Sequence, residues 1–398
     1  MGKKRILITM TSMYIGGAER ALLGLLNAID TTKNDIDLLI YSHEGEFMPL
    51  IPNTVNLLPY DSRFDVFANP IKTLFKRGSY CVAFDRIMAK IHDLVYCKIH
   101  GVAHCVWHQQ QLNHKYLIKQ IPQVKGKYDL AICFIGVPSI IVKRVDANVK
   151  IGWVHTDYSK LIFDKNLDRK MYSQLSYIVN VSIDTKKIFD LIYPEYKNKS
   201  IVIENIHSSK WIRSMAAGSP NDMVDDGRIK FLSVGRFGYA KNFDNVPFIV
   251  ALMKEWGASP FVWYLVGGGP DETLIRKNIA IAGVENCVKI IGMRSNPYPY
   301  IKACDVYVQP SRFEGKAITV TEAQILGKPV VVANYATASS QVTDGVNGYI
   351  VPQDNEECAS ALVNLLKDKE KLVRIVEYCQ SHEFGNESEI NKIMNLIQ

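Results

Sequence analysis

Two glutamates eight positions apart, Glu314 and Glu322, are the residues of this 398-residue chain best suited to act on a ligand together. Glu314 follows a short apolar run, 306–308, that reads as the end of a buried strand. Glu322 falls inside a helical pattern over 320–326. Gly315, beside the first acid, lets backbone approach a ligand closely. At the helix start, free N–H groups favour an anion. The stretch 310–322 therefore suits one acid aimed at a ligand, a phosphate on the helix start and a second acid further along. It equally suits a surface loop carrying two solvated glutamates. Arg236 and Lys241 lie five apart behind the strand pattern Ile229–Val234. A guanidinium fork and an ammonium point charge match a diphosphate; singly, each also reads as a solvated loop cation.

Nearer the start, Gly16-Gly17 joins an apolar strand, 5–10, to a helical pattern over 19–29. It is neither a G-x-G-x-x-G fingerprint nor a P-loop, and it fits a tight turn as well as a ligand contact. His155 closes a strand pattern over 150–155, at the carboxyl edge where parallel sheets bind ligands. A structural histidine is the competing reading. No H-E-x-x-H or paired ligand spacing occurs, so no metal site and no cofactor are expected.

These residues need elements to hold them. Strand and helix patterns alternate through the first half, with strands at 37–41, 128–134, 177–181 and 200–203 and a helix capped by Ser182. They restart at Ile229 and continue through Phe261–Val266, 288–291, 306–308 and 329–333. Between them, residues 206–227 are rich in Ser, Gly, Asn and Asp and read as a linker. The expectation is an α/β chain of two Rossmann-like doubly wound domains facing across a cleft: 1–205, then 228–370, with C-terminal helices over 371–398 packing back toward the first.

Composition is that of an ordinary globular protein, 47% hydrophobic and 22% charged. Eight cysteines without a C-x-x-C read as reduced thiols of a cytoplasmic protein. The basic start, Lys3-Lys4-Arg5, leads into a strand and is not read as a signal peptide; no apolar run is long enough to span a membrane. The net charge of +7 lies wholly in the first half, where 27 Lys and Arg face 19 Asp and Glu. Residues 69–119 are densest, with Lys72, Lys76 and Arg77 among eight cations facing only Asp85 and Asp93. Apolar residues recur there at helical spacing. Amphipathic helices with a basic face would suit an anionic membrane surface, and an ordinary solvated face is the alternative. No nucleic-acid module is visible.

Val234-Gly235-Arg236 with Lys241, the Glu314-x7-Glu322 pair, Gly16-Gly17-Ala18-Glu19, and Asp344-Gly345 with Asn347-Gly348 together resemble glycosyltransferase family 4. The stretches 153–158 and 311–316 resemble its exopolysaccharide and capsule-type members. The resemblance implies a GT-B fold and a retaining hexosyltransferase that uses a nucleotide-diphosphate sugar, with UDP preferred, and a lipid-linked acceptor. It implies that Arg236 and Lys241 bind the donor diphosphate, and that Glu314 and His155 contact the sugar. Backbone N–H groups of Ala317 and Ile318 would meet the phosphates and Glu322 the ribose. Gly16, Gly17, Arg294, Gly315 and Lys316 complete the donor set. Lys316-Ala317 departs from the aromatic residue and Pro of many members, so the sugar pocket would differ. A peripheral enzyme on the inner membrane face would follow. A nucleotide-sugar epimerase of the same fold and a non-catalytic partner protein are the alternatives.

Overall fold

The computed structural model describes residues 2–67, 69–218 and 221–397. They form two compact units, Met1–Ile206 with Ser388–Gln398, and His207–Glu387.

The first unit is built on a parallel seven-stranded sheet. Its strands are β1 (Lys4–Met10), β2 (Asn34–Ile40), β3 (Asn56–Leu57), β4 (Lys127–Cys133), β5 (Asp146–Val154), β6 (Tyr177–Asn180) and β7 (Ser200–Val202). They lie in the order β3-β2-β1-β4-β5-β6-β7, so the winding reverses between β1 and β4. Helix α1 (Gly17–Ala28) follows β1 and buries Ala21, Leu22, Leu25 and Leu26, a stripe with helical spacing. Between β3 and β4 come α2 (Ile71–Lys76), α3 (Tyr80–His100) and α4 (Val106–Leu117). Next in the chain are α5 (Ser139–Arg144), α6 (Lys165–Tyr172) and α7 (Ile183–Ile192). Ser182 does cap α7, exchanging bonds with Thr185 in a capping box.

The second unit begins inside the expected linker. Helix α8 (Ser209–Ala217) stands there, with Ser208 at its N-cap and Gly218 at its C-cap. The Ser and Gly that suggested a linker are its caps, and Ile212 and Ala216, one turn apart, are buried between them. Ser219 and Pro220 of that stretch lie outside the described residues. The sheet follows: β8 (Ile229–Val234), β9 (Phe261–Val266), β10 (Val288–Gly292), β11 (Val306–Gln309), β12 (Val330–Ala333) and β13 (Tyr349–Val351). It is parallel, in the order β10-β9-β8-β11-β12-β13, and its winding reverses between β8 and β11. Both faces are buried, as parallel sheets require. Phe231, Trp263, Val306, Val308 and Val331 share one core; Leu232, Val234, Tyr264, Tyr307 and Val332 share the other.

The helices of this unit are α9 (Val246–Glu255), α10 (Glu272–Ala282), α11 (Tyr298–Ala303), α12 (Ile318–Ile325), α13 (Asn355–Lys367) and α14 (Lys369–Ser381). The expected pair of returning C-terminal helices divides. Helix α14 stays in the second unit, where Ile375 and Cys379 are buried. The last helix, α15 (Glu389–Asn395), belongs to the first unit, with Ile393 fully buried and Glu389 accepting the Glu204 N–H at 3.0 Å.

Candidate active site

In open parallel sheets, ligands bind beyond the carboxyl ends of the strands where the winding reverses. In the second unit that point is between β8 and β11. Arg236 and Lys241 follow β8, and Glu314 follows β11. Tight backbone packing shapes this end of the sheet. Gly267 after β9 has φ +149°, and a Cβ there would fall 1.9 Å from the Gly235 carbonyl oxygen. Only glycine fits both demands.

Glu314 is held firmly. Its Oε1 accepts from Lys241 Nζ at 2.5 Å, Ser311 Oγ at 2.6 Å and Gln309 Nε2 at 3.1 Å. Gln309 is itself fixed: its Oε1 accepts from Tyr307 and Thr319. The Thr337 hydroxyl donates to the Glu314 carbonyl at 2.9 Å. Lys241, expected to bind a diphosphate, is thus also paired with a carboxylate. It is neutralised by Glu314, in a pair whose side chains are only 23% and 12% exposed. Arg236 differs. It is exposed, and it makes no hydrogen bond or ion pair among the described residues.

Three other expectations change in detail. The Ala317 N–H, expected to face a phosphate, donates to Gln341 Oε1 at 2.7 Å, and Gln341 Nε2 returns a bond to the Ala317 carbonyl. Ala317 is the N-cap of α12 and no side chain caps that helix, which starts at Ile318, two residues before the expected pattern. Glu322 is buried in α12 and accepts from the Tyr298 hydroxyl at 2.8 Å. Arg294, expected in the donor set, sits beyond edge strand β10 and is engaged by Asp222 at 2.9 Å and the Tyr300 hydroxyl at 2.7 Å. Gly315 and Lys316 are exposed beside Glu314.

The first unit holds the remaining candidates. Gly16 is the N-cap of α1 and Gly17 its first residue, directly behind β1 at the reversal point of that sheet. The Glu19 side chain folds over Gly16, where a Cβ would lie 2.1 Å from Oε2. Burial pushes the Glu19 carboxyl above its usual range. His155 follows β5. Its ring packs on Phe134, centroids 4.8 Å apart, and stacks with Trp153 at 6.2 Å. Burial pulls its pKa down to about 4, opposed by a hydrogen bond to the Phe134 backbone. His155 is thus neutral at pH 7. Its Nε2 and the Trp153 Nε1 are both buried without a hydrogen-bond partner among the described residues. Buried polar atoms seldom stay unpaired, so these two stand out at the carboxyl edge of the sheet.

The basic region also differs from expectation. Arg77 pairs with the buried Asp65 at 3.4 Å, and Arg86 donates to the carbonyls of Val66, Phe67 and Asn69. Lys72 and Lys76 remain exposed on α2. The unexpected feature is apolar: Tyr80, Phe84, Ile91, Leu94, Val95 and Ile99 are exposed along α3. Among the described residues no helix is long and apolar enough to cross a membrane, and no group of side chains is arranged to hold a metal.

Residues 220–382 match the family model described as glycosyl transferases group 1. Over 107 residues the chain is 36% identical to the poly(glycerol-phosphate) alpha-glucosyltransferase of Bacillus subtilis, covering 26% of this chain and 16% of that one. It is 24% identical to the N,N'-diacetylbacillosaminyl-diphospho-undecaprenol alpha-1,3-N-acetylgalactosaminyltransferase of Campylobacter jejuni, over 55% of this chain and 52% of the relative. The chain thus spans less than two thirds of either relative's length. Among solved structures, Anabaena HepE in complex with UDP-glucose superimposes with a TM-score of 0.67 over 98% of both chains, at 18% identity.

The fold is GT-B. Both of its doubly wound sheets carry candidate residues at or beside the reversal point. The sequence pointed to Glu314 and its cations, because Gly, Arg, Lys and Glu behind apolar runs stand out. It missed how Glu314 is fixed: Gln309 and Thr337 carry no motif, and Ser311 gave no sign of being its hydrogen-bond partner. Tyr335 escaped as well, although it follows β12 at the carboxyl end of the sheet; its hydroxyl is buried without a partner among the described residues, and burial and the Glu314 charge push its pKa up.

Proposed function

We propose that the chain is a retaining glycosyltransferase that moves a hexose from a nucleotide-diphosphate sugar to a lipid-linked glycan in cell-surface polysaccharide synthesis. The observation that carries this is that Arg236 and the hydrogen-bonded Lys241–Glu314 pair both follow the strands at one sheet-reversal point, inside the segment similar to glycosyl transferases group 1. UDP is the favoured nucleotide, because HepE, of the same fold, was crystallised with UDP and with UDP-glucose. The lipid-linked acceptor is favoured by the diphospho-undecaprenol in the Campylobacter relative's name.

Transfer passes through a positively charged, oxocarbenium-like sugar while the diphosphate leaves as an anion. Arg236 and the start of α12 answer the leaving charge. When the diphosphate arrives, Lys241 lies between two anions, Glu314 and the phosphate, and can serve both. Glu314 then acts by position and charge and not as a nucleophile. His155, neutral, offers a hydrogen bond to a sugar hydroxyl. Arg236, Lys241 shared with Glu314 and the start of α12 meet the diphosphate charge without a metal, so turnover is expected to persist in EDTA. The exposed apolar stripe of α3 with Lys72 and Lys76 docks the protein peripherally on the anionic inner membrane face.

The test is a screen of purified protein against UDP- and GDP-sugars, scored by binding and slow donor hydrolysis, followed by NMR of the product's anomeric centre. Hydrolysis of at least one nucleotide sugar is expected, weakened in Arg236→Ala at low donor concentration, with the donor's configuration kept. No donor binding, or inversion, would overturn the reading.

A further inference from the structure

A cavity of about 170 Å³ lies in the first unit between α4, α5 and α6. Its walls are apolar: Ile118, Val137, Leu167 and Met171. Its floor is polar, buried and internally satisfied. His114 Nδ1 bonds Ser139 Oγ at 2.5 Å, and Asp168 accepts from Gln111 Nε2 at 2.5 Å and from the Tyr193 hydroxyl at 2.7 Å. Burial drives the His114 pKa down to about 3, so its ring is uncharged.

Three lysines stand at the mouth: Lys115, Lys143 and Lys170. All are exposed, and none forms an ion pair among the described residues. Lys143 donates to Gln174 Oε1 at 2.8 Å, and Lys115 lies 5.6 Å from the Tyr116 ring centre, a neutral partner in each case. Elsewhere in this chain many lysines have carboxylate neighbours, as Lys186 does with Asp190. Three unpaired ammonium groups around one apolar cavity concentrate positive potential where a ligand's apolar body would enter.

We propose that this cavity is a binding site for a small phosphate monoester with an apolar body. The body lies against Ile118, Leu167 and Met171, and the phosphate stays at the mouth among the three lysines. The anion is thereby kept in partial contact with water, where its desolvation is cheap, while the apolar part gains burial. The Asp168 oxygens turn toward Gln111 and Tyr193, so the floor does not demand a cation. The compact cavity suits a soluble short-chain or aryl phosphate better than a bilayer headgroup. None of its lining residues belongs to the proposed donor set, so the site stands whether or not the transferase reading holds.

Hexyl phosphate is the direct probe, with inorganic phosphate and hexanol as its two halves, each titrated calorimetrically into the full-length protein. Hexyl phosphate should bind about tenfold or more tightly than either half. The combined Lys115→Ala, Lys143→Ala and Lys170→Ala variant should lose that advantage, and Leu167→Trp, which fills the cavity, should lose it while keeping all three charges. Arg236→Ala should bind hexyl phosphate as the wild type does. Binding equal to that of inorganic phosphate would overturn the site as an adventitious anion contact. Loss of binding in Arg236→Ala would place the ligand in the other unit and overturn it too. Circular dichroism of each variant confirms folding, and Leu167→Trp and the lysine variant test the cavity by independent routes.

Discussion

Glu314 is the residue on which most of the proposed chemistry turns, and its Oε1 is where three donors meet. Removing the carboxylate leaves Lys241 charged and partly buried beside Gln309 and Ser311, with no acceptor between them. Glu314→Ala should lower kcat by about 100-fold or more, with circular dichroism unchanged; near-normal turnover would reject its role. Lys241→Met frees Glu314 and also removes the charge facing the leaving diphosphate, so it should cost as much. Arg236→Ala acts on an exposed group, so its main effect should be a higher KM that depends on ionic strength. Asp168 permits a pH prediction with a definite sign. Burial raises its carboxyl to about 7, against the help of Tyr193 and Gln111, with Asp164 pushing the same way as burial. The folded state therefore holds a proton that the unfolded chain releases near pH 4. The stability due to that proton is complete below pH 4 and lost as pH rises through 7. His114 and His155 run the other way, stabilising above about 6.5 and losing it as pH falls toward 4. Asp168→Asn should consequently gain on the wild type between pH 4 and 7, by up to about 4 kcal/mol, and the gap should level off above 7. Denaturant titrations at pH 5, 6, 7 and 8 would show it; a constant gap would mean that Asp168 is already ionised throughout.

Among the elements, α3 is the one whose outer face lacks an obvious reason. Tyr80, Phe84, Ile91 and Val95 share one side at helical spacing and stay exposed, which a monomer in water does not favour. Replacing Phe84 and Ile91 with Ser should weaken binding to anionic liposomes without lowering the melting temperature. Unchanged liposome binding would remove the docking role, and a lower melting temperature would mean the face is packed. This helix also shows where the sequence stops being legible. Its helical period was plain, and so were the β8 and β11 strands with Arg236 and Glu314 behind them, because periodicity and glycine punctuation are local signals. Which side of α3 faces the core was not, since that depends on α4, and one cation expected on its face turns out to serve the fold: Arg86 binds three carbonyls. Helix α8 was hidden for a related reason. Cap residues and linker residues are the same types, and only the buried Ile212 and Ala216 between them decide. Lys241 was legible as a cation near the site but not as Glu314's partner, because the two, 73 positions apart, meet through the β8–β11 pairing.

At the scale of the molecule, two sheets share one winding order, each with candidate residues at or beside its own reversal point. The doubly wound pattern was readable because each half repeats strand, turn and helix. Where one unit ends and the other begins was less so, since α14 and α15 are both amphipathic and nothing local says which core each enters. Ile393→Ala tests that division. It should cost about 2–4 kcal/mol, and hydrogen exchange should find the loss in β1, β4 and α1, with β8 and β11 protected as before. Loss confined to the second sheet would contradict the assignment of α15 to the first unit.

That assignment has a consequence for how the protein is made. The chain leaves the first unit at Ile206 and rejoins it at Ser388. The second unit is thus an insertion within the first, and both its ends are synthesised before α15 emerges from the ribosome. The unit begun first is completed last. While residues 207–387 are being translated, the first unit waits without α15, and the Glu204 N–H waits for its Glu389 acceptor.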